Sequence, residues 1–356
     1  MADKVLMIGP STEAWGGIAT VEKNIIQAAA MAGRPIRFVP TMRDGSKIGK
    51  MIFFAGAYIR IALYDLHRCD VCHIHMALGM SYRRKYLICR IADMRGIPYI
   101  LHVHEGDFEN LYEAMQTSEQ RKIRWMLKSA SSVIALSDEW KEYLVRKFDL
   151  SNVVVLENAV FVPNINDGSH DVSRFLFLGR LCYRKGLDTL LEATSILRKK
   201  YPGVEVNIAG GGDEIEAYRS LASKLGVEKN VCFLGWADEQ EKRRLFSSCG
   251  TLVLPSRAEG LPMCVLEGMA NGCAVIATRV GGIPSVIANG DNGLLIEPHN
   301  PERLANAMEY CIENPRQVSR IAQNGRQTII QRYSMNTYLN KLDEIYETSV
   351  DVDERQ

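Results

Sequence analysis

At 356 residues the chain is long enough for two domains, and 47% apolar with 24% charged residues describes an ordinary folded protein and excludes extended disorder. A formal net charge of +1, with no ribbon of interleaved basic and aromatic residues, argues against nucleic acid as a partner. The nine cysteines lie mostly in apolar runs, where a reduced thiol behaves as a small hydrophobe, and they imply no disulfide framework.

The opening residues, MADKVLMIGPSTEAWGG, hold too short an apolar stretch for a signal peptide, so the chain is expected to stay in the cytoplasm. Strands then alternate with helices as in a parallel α/β sheet. In the first half the strand candidates are KVLMIG, IRFVP, VCHIHM, PYILHVH, SVIAL and VVVLEN. The polar segment 162–173 reads as a linker, after which RFLFLG, VEVNIAG, VCFLG, TLVLP, AVIAT and GLLIE repeat the pattern. Two similar half-chains imply a cleft faced by the carboxyl ends of both sets of strands. The last helix, near 334–349, carries Tyr338, Leu342, Ile345 and Tyr346 on its apolar side.

Residues 47–95 carry nine Lys and Arg against three Asp. The apolar run from Met51 to Leu63, broken by Arg60, is shorter than the roughly 20 residues of a spanning helix. Two readings stand side by side: an amphipathic surface that meets an anionic membrane, with Arg83, Arg84 and Lys85 among its charges, or a buried helix with a solvated rim. Cys69-Asp70-Val71-Cys72-His73 matches the C-x-x-C-H haem pattern, with His75 two residues on, but strand alternation is expected to keep Cys72, His73 and His75 from converging on one metal. Asp351 and Asp353 form a D-x-D pair in a polar tail and are expected to fray in solvent rather than bind a cation.

The chemistry concentrates after two strands of the second half. EGLPMCVLE places Glu259 at the mouth of a loop and Glu267 about two turns into the next helix, whose first backbone amides suit a phosphate. Such carboxylates can grip sugar hydroxyls, although two surface glutamates beside a helix start would look the same. FLFLGRLCYRKG puts Arg180 and Lys185 at another strand's carboxyl end, where two cations would stabilise the charge growing on a departing diphosphate; the bland reading is a basic turn. Gly16 and Gly17 let backbone approach a ligand closely, and Gly211, in the run Gly210-Gly211-Gly212, does the same or simply turns the chain. His104 ends the strand in LHVHEGDF, His102 is expected to pack in the sheet, and Trp236, after VCFLG, suits a hydrophobic plug.

Through WGGIATVEKNI, LHVHEGDF, GRLCYRKG, VNIAGGGDE, VCFLGWADEQEKRRLF, LPSRAEGLPMCVLEGMANGCAVIAT, VGGIPSVI and NGLLIEP, the chain resembles a retaining glycosyltransferase of family 4, a group that includes bacterial capsular and exopolysaccharide enzymes. The resemblance implies the GT-B fold, α/β, with two Rossmann-like domains: residues 1–165, joined by helix 334–350, for the acceptor and 173–333 for the nucleotide sugar. It implies that Arg180 and Lys185 hold the diphosphate, that backbone at Gly260, Leu261, Met263 and Cys264 adds donors, and that Glu267 takes the ribose. Glu259 and His104 would meet the transferred sugar, with Gly16, Gly17, Gly211 and Trp236 lining the donor pocket. Neither a metal nor a cofactor is expected; the partners are a nucleotide sugar, a UDP-sugar above others, and a glycan or polyprenyl-diphosphate-linked sugar. The enzyme would work in the cytoplasm, at the inner face of the membrane. The alternatives are a UDP-sugar epimerase of the same fold and a noncatalytic nucleotide-sugar-binding subunit. Two departures from the family pattern are Ser285 after Gly282-Ile283-Pro284, where relatives often carry Glu, and Ala159 after Asn158, where they often carry Gly.

Overall fold

The computed structural model describes residues 4–34, 36–165 and 171–351. The chain divides into two compact units, Met1–Ala159 with Met335–Gln356 and Val160–Ser334. In the first, β1 (Val5–Gly9), β2 (Arg37–Pro40), β3 (Val71–Met76), β4 (Tyr99–Val103), β5 (Ser132–Ala135) and β6 (Val153–Val155) form a parallel sheet in the order β2-β1-β3-β4-β5-β6. In the second, β7 (Arg174–Leu178), β8 (Glu205–Ala209), β9 (Val231–Gly235), β10 (Thr251–Leu254), β11 (Ala274–Thr278) and β12 (Leu294–Ile296) run parallel in the order β12-β11-β10-β7-β8-β9. All twelve apolar runs named from the sequence are strands. Several, such as VLMIG and AVIAT, are buried along their whole length, as strands are when helices cover both faces of a sheet. Edge strand β9 alternates instead and leaves Cys232 exposed.

Each sheet reverses its strand order once, between β1 and β3 in the first unit and between β7 and β10 in the second. Outside the carboxyl ends at such a reversal, the loops from adjacent strands part in opposite directions and leave a crevice. The helix Met335–Asp351 returns to the first unit, where Tyr346 OH meets His73 Nδ1 at 2.8 Å and Ser349 Oγ meets Ser132 Oγ at 3.1 Å. The linker reading covers residues that fall partly outside the described ones, as does Asp353 of the D-x-D pair.

Three expectations need correction. His73 and His75 do share a face, because a strand's period of two puts alternate residues together, and the neighbouring β4 adds His102 and His104; Cys72 alone points the other way. Lys85 is not a membrane-facing charge: it is buried, and its ammonium donates to Thr41 Oγ1 at 2.5 Å. Burial lowers its pKa to about 7, with the Glu22 carboxylate pulling the other way. The segment 47–60 is only partly covered: in the helix Lys47–Arg60, capped by the Ser46 hydroxyl on the Gly49 N–H, Phe54, Ala57 and Tyr58 pack against the first unit's core, but no residue is fully buried and Ile48 and Met51 are each 72% exposed. Among the described residues, no helix is long and apolar enough to cross a membrane.

Candidate functional site

The second unit gathers charged side chains around its strand-order reversal. From β7 the chain passes Gly179 and Arg180, makes a single 3-10 turn at Tyr183–Lys185, and enters the helix Leu187–Leu197. That turn carries Lys185 to the end of β10, where its Nζ donates to Glu259 Oε1 at 2.6 Å. The Ser256 hydroxyl donates to the same oxygen at 2.6 Å. Burial alone would lower the Lys185 pKa, but the Glu259 charge and hydrogen bond outweigh it and hold the ammonium above its ordinary range.

A later segment holds the loop that presents Glu259. After β11 the backbone turns at Gly281, whose φ of +52° lies in the left-handed region, and a Cβ there would stand 1.7 Å from the Glu259 carbonyl oxygen. The next residue, Gly282, donates its N–H to the Gly260 carbonyl at 2.6 Å. Only glycine fits so close a backbone crossing. Ser285, the departure from the family pattern, donates its hydroxyl to the Gly282 carbonyl at 2.7 Å and so takes part in the same turn.

Beyond that loop, Leu261, Met263 and Cys264 are buried at the start of the helix Met263–Ala270. Its first residue follows Pro262, and no side chain caps its amides. Burial pushes the Cys264 thiol up to about 12, so it stays protonated beside Lys185 and Glu259. Glu267 accepts a hydrogen bond from Lys242 Nζ at 2.8 Å, and Lys242 also meets Glu239 at 2.9 Å. The indole of Trp236 lies against Gly211, where a Cβ would stand 2.3 Å from its Nε1. Arg180 is exposed.

Of the residues singled out from the sequence, the structure therefore joins Lys185 to Glu259 and Trp236 to Gly211, all at carboxyl ends of the second sheet. The Glu267 carboxylate is contacted by Lys242, which sequence reasoning missed, and Ser256 was missed as well. Ser256 stood in the quoted LPSRAEG motif directly after the strand, and that position was the available signal. Lys242 gave none, being one of three consecutive basic residues on a charged helix.

Gly16, Gly17 and His104 belong to the first unit. Gly16 and Gly17 are exposed, and a Cβ on either would meet nothing within 4 Å, so their backbone is open to a ligand. His104 Nε2 lies 2.8 Å from His75 Nδ1, and burial holds the His104 pKa down at about 3, so the ring is neutral. A cavity of about 370 Å³, lined by Gly79, Met80, Tyr82, Arg83, Met115 and Glu119 among others, opens beside the loop after β3.

Residues 15–162 match the Glycosyltransferase Family 4 model and residues 163–328 the Glycosyl transferases group 1 model. The chain is 28% identical over 316 residues to an uncharacterized glycosyltransferase of Methanocaldococcus jannaschii, covering 82% of this chain and 79% of that one. It is 26% identical over 326 residues to a D-inositol 3-phosphate glycosyltransferase of Corynebacterium aurimucosum, covering 82% and 76%. Over 168 residues it is 32% identical to the lipopolysaccharide core biosynthesis glycosyltransferase LpsE of Rhizobium meliloti, covering 47% and 48%. Among solved structures, the Anabaena protein HepE in complex with UDP-glucose aligns with a TM-score of 0.78 at 20% identity, over 97% of this chain and 99% of that one.

Proposed function

We propose, because this chain belongs to the glycosyltransferases that join a family 4 domain to a group 1 domain on the GT-B fold, that it moves a hexosyl or N-acetylhexosaminyl group from a UDP-sugar to a glycan or polyprenyl-diphosphate-linked acceptor. The observation that carries the reading is the cluster of Lys185, Glu259 and Ser256 at the strand-order reversal of the second sheet. UDP-binding structural relatives and a relative acting in lipopolysaccharide core synthesis support the choice of donor and acceptor class.

In this reading Arg180 and Lys185 face the donor diphosphate and neutralise the charge it gains as the bond to the sugar breaks. The uncapped amides at Met263 and Cys264 add hydrogen-bond donors to the same phosphates. Glu267, steadied by Lys242, accepts from the ribose hydroxyls, and Glu259 accepts from hydroxyls of the transferred sugar. Trp236 covers the base. The anomeric configuration is retained by attack on the face the leaving group vacates, with the departing diphosphate taking the acceptor hydroxyl's proton. The protein then needs no strong base, metal or cofactor; it positions two substrates and stabilises the departing charge.

The helix Lys47–Arg60 is the membrane-facing element in this reading. Ile48, Met51 and Ile52 are exposed beside Lys47 and Lys50, which suits an anionic bilayer surface such as the inner face of a cell membrane, where a lipid-linked acceptor resides.

The test is thermal unfolding with UDP-, GDP- and ADP-sugars, followed by transfer assays of the wild type and Arg180→Ala. Stabilisation by UDP-sugars above the others is expected, because a ligand of the native state raises apparent stability with its affinity. Loss of the guanidinium is expected to slow transfer on the order of a hundredfold or more. No stabilisation by any nucleotide sugar, or near-normal turnover of Arg180→Ala, overturns the reading. Isomerised nucleotide sugar formed without an acceptor would identify an epimerase instead.

A further inference from the structure

Four imidazoles stand in a ladder on one face of the first sheet. β3 and β4 pair with His75 opposite His102, and the period of two adds His73 and His104 to the same face. Neighbouring rings lie 4.1 to 5.3 Å apart, centroid to centroid. Two ring-to-ring hydrogen bonds run through the ladder, His73 Nε2 to His102 Nδ1 at 3.1 Å and His75 Nδ1 to His104 Nε2 at 2.8 Å. His73 continues through Nδ1 to the Tyr346 hydroxyl at 2.8 Å. His73, His75 and His102 are fully buried, and His104 alone is partly exposed. Among the described residues, Nε2 of His75 and Nε2 of His102 are buried and meet no partner.

Those two partnerless nitrogens decide where the protons sit. A neutral imidazole has one N–H and one lone pair, so each ring-to-ring bond runs in one of two directions. If His104 donated to His75, the single proton of His75 would sit on Nε2 with nothing to receive it. A buried orphan N–H costs about 1–3 kcal/mol and is rare in folded proteins. The opposite direction leaves only a bare lone pair on Nε2. The same choice at His102 gives a consistent chain, in which His102 donates to His73 and His73 donates to the Tyr346 oxygen.

We propose that His75 is a positioning residue that donates from Nδ1 to His104 Nε2 and thereby holds His104 as the neutral tautomer with its proton on Nδ1. The remaining nitrogen of the one partly exposed ring in the ladder is then a hydrogen-bond donor and not a base. That property suits a residue gripping an oxygen of the transferred sugar while the leaving diphosphate takes the acceptor's proton. This last consequence rests on the function proposed above; the proton placement does not.

The test is nitrogen-15 NMR of the full chain labelled at histidine, in which long-range couplings distinguish the two ring nitrogens. The His104 signal, assigned by its loss in His104→Asn, is expected to show a protonated Nδ1 and a bare Nε2. His75→Gln, whose amide can still donate, is expected to keep that pattern, and His75→Leu to populate both tautomers. In the transfer assay His75→Leu should lose about tenfold in kcat, the scale of one net hydrogen bond, with His75→Gln recovering most of it.

A proton on His104 Nε2 in the wild type, or an imidazolium at neutral pH, overturns the proposal, and the wild-type spectrum decides even where a variant fails to fold. So does one equivalent of bound metal, because His73, His75 and His102 bring a ring nitrogen each within 4.8 Å of one another and an ion there would displace ring protons. The expected spectrum in a protein that transfers no sugar would refute the proposed function and leave the tautomer standing.

Discussion

Replacing Lys185 by Met removes an ammonium whose partner has few others. The side chains of Lys185 and Glu259 are only 13% and 6% exposed, so the pair is held out of water, and after the change the Glu259 carboxylate keeps only the Ser256 hydroxyl among the hydrogen bonds described above. Breaking a buried ion pair from one side costs about 3–5 kcal/mol, most of it the penalty of a stranded charge, whereas an exposed pair is worth under about 1 kcal/mol. For a unit of this size, a loss near the middle of that range lowers Tm on the order of 10 °C. Adding Glu259→Gln removes the stranded charge and keeps an acceptor for Ser256, so the double variant should be more stable than Lys185→Met alone. Urea unfolding of the wild type, both single variants and the double variant closes the cycle, with an expected coupling of about 2 kcal/mol or more. Costs that simply add, or a Lys185→Met variant within about 0.5 kcal/mol of the wild type, would refute the claim that these groups form a desolvated pair.

Three further outcomes follow. Lys242→Met removes the ammonium that donates to Glu267 and should weaken UDP binding about tenfold by calorimetry, a loss of about 1.4 kcal/mol; unchanged affinity would remove Lys242 from the site. Burial holds His73 and His104 down at about 3 from an ordinary 6.5, so between those values the folded protein binds fewer protons than the unfolded chain, and stability should rise with pH across that window and fall as acid is added. Urea titrations from pH 5 to 6.5 should show the fall, and His73→Asn should flatten it by about one proton, or about 1.4 kcal/mol per pH unit. Met51→Glu with Ile52→Glu changes side chains 72% and 68% exposed, so the fold should hold while co-sedimentation with anionic vesicles is lost; undiminished sedimentation would show that this helix does not dock.

The strands were legible because a parallel sheet covered on both faces asks for short, continuous apolar runs bounded by turn residues, such as LMI in β1 and AVIA in β11. The residues around Glu259 were legible for a related reason: turn-forming glycines and charges cluster where strands end. Contacts were harder to read. Lys185 and Glu259 lie 74 positions apart, and their pairing depends on β7 and β10 being neighbours, which no local pattern encodes. The histidine ladder was half visible, since two-residue spacing already aligned His73 with His75, but the partners on β4 came from strand order. The helix at 47–60 could not be resolved because mixed basic and apolar residues suit a core and a membrane surface equally well.

The chain leaves the first unit at residue 159 and returns to it at 335, with the second unit contiguous in between. Emerging from a ribosome, the second unit can complete its sheet from a single uninterrupted stretch. The first must wait, its β3 and β5 lacking the cover of Tyr346 and Ser349 until the closing helix has been made. A nascent chain halted shortly before that helix would thus carry a finished second unit and a first unit whose histidine face still lacks its Tyr346 cover.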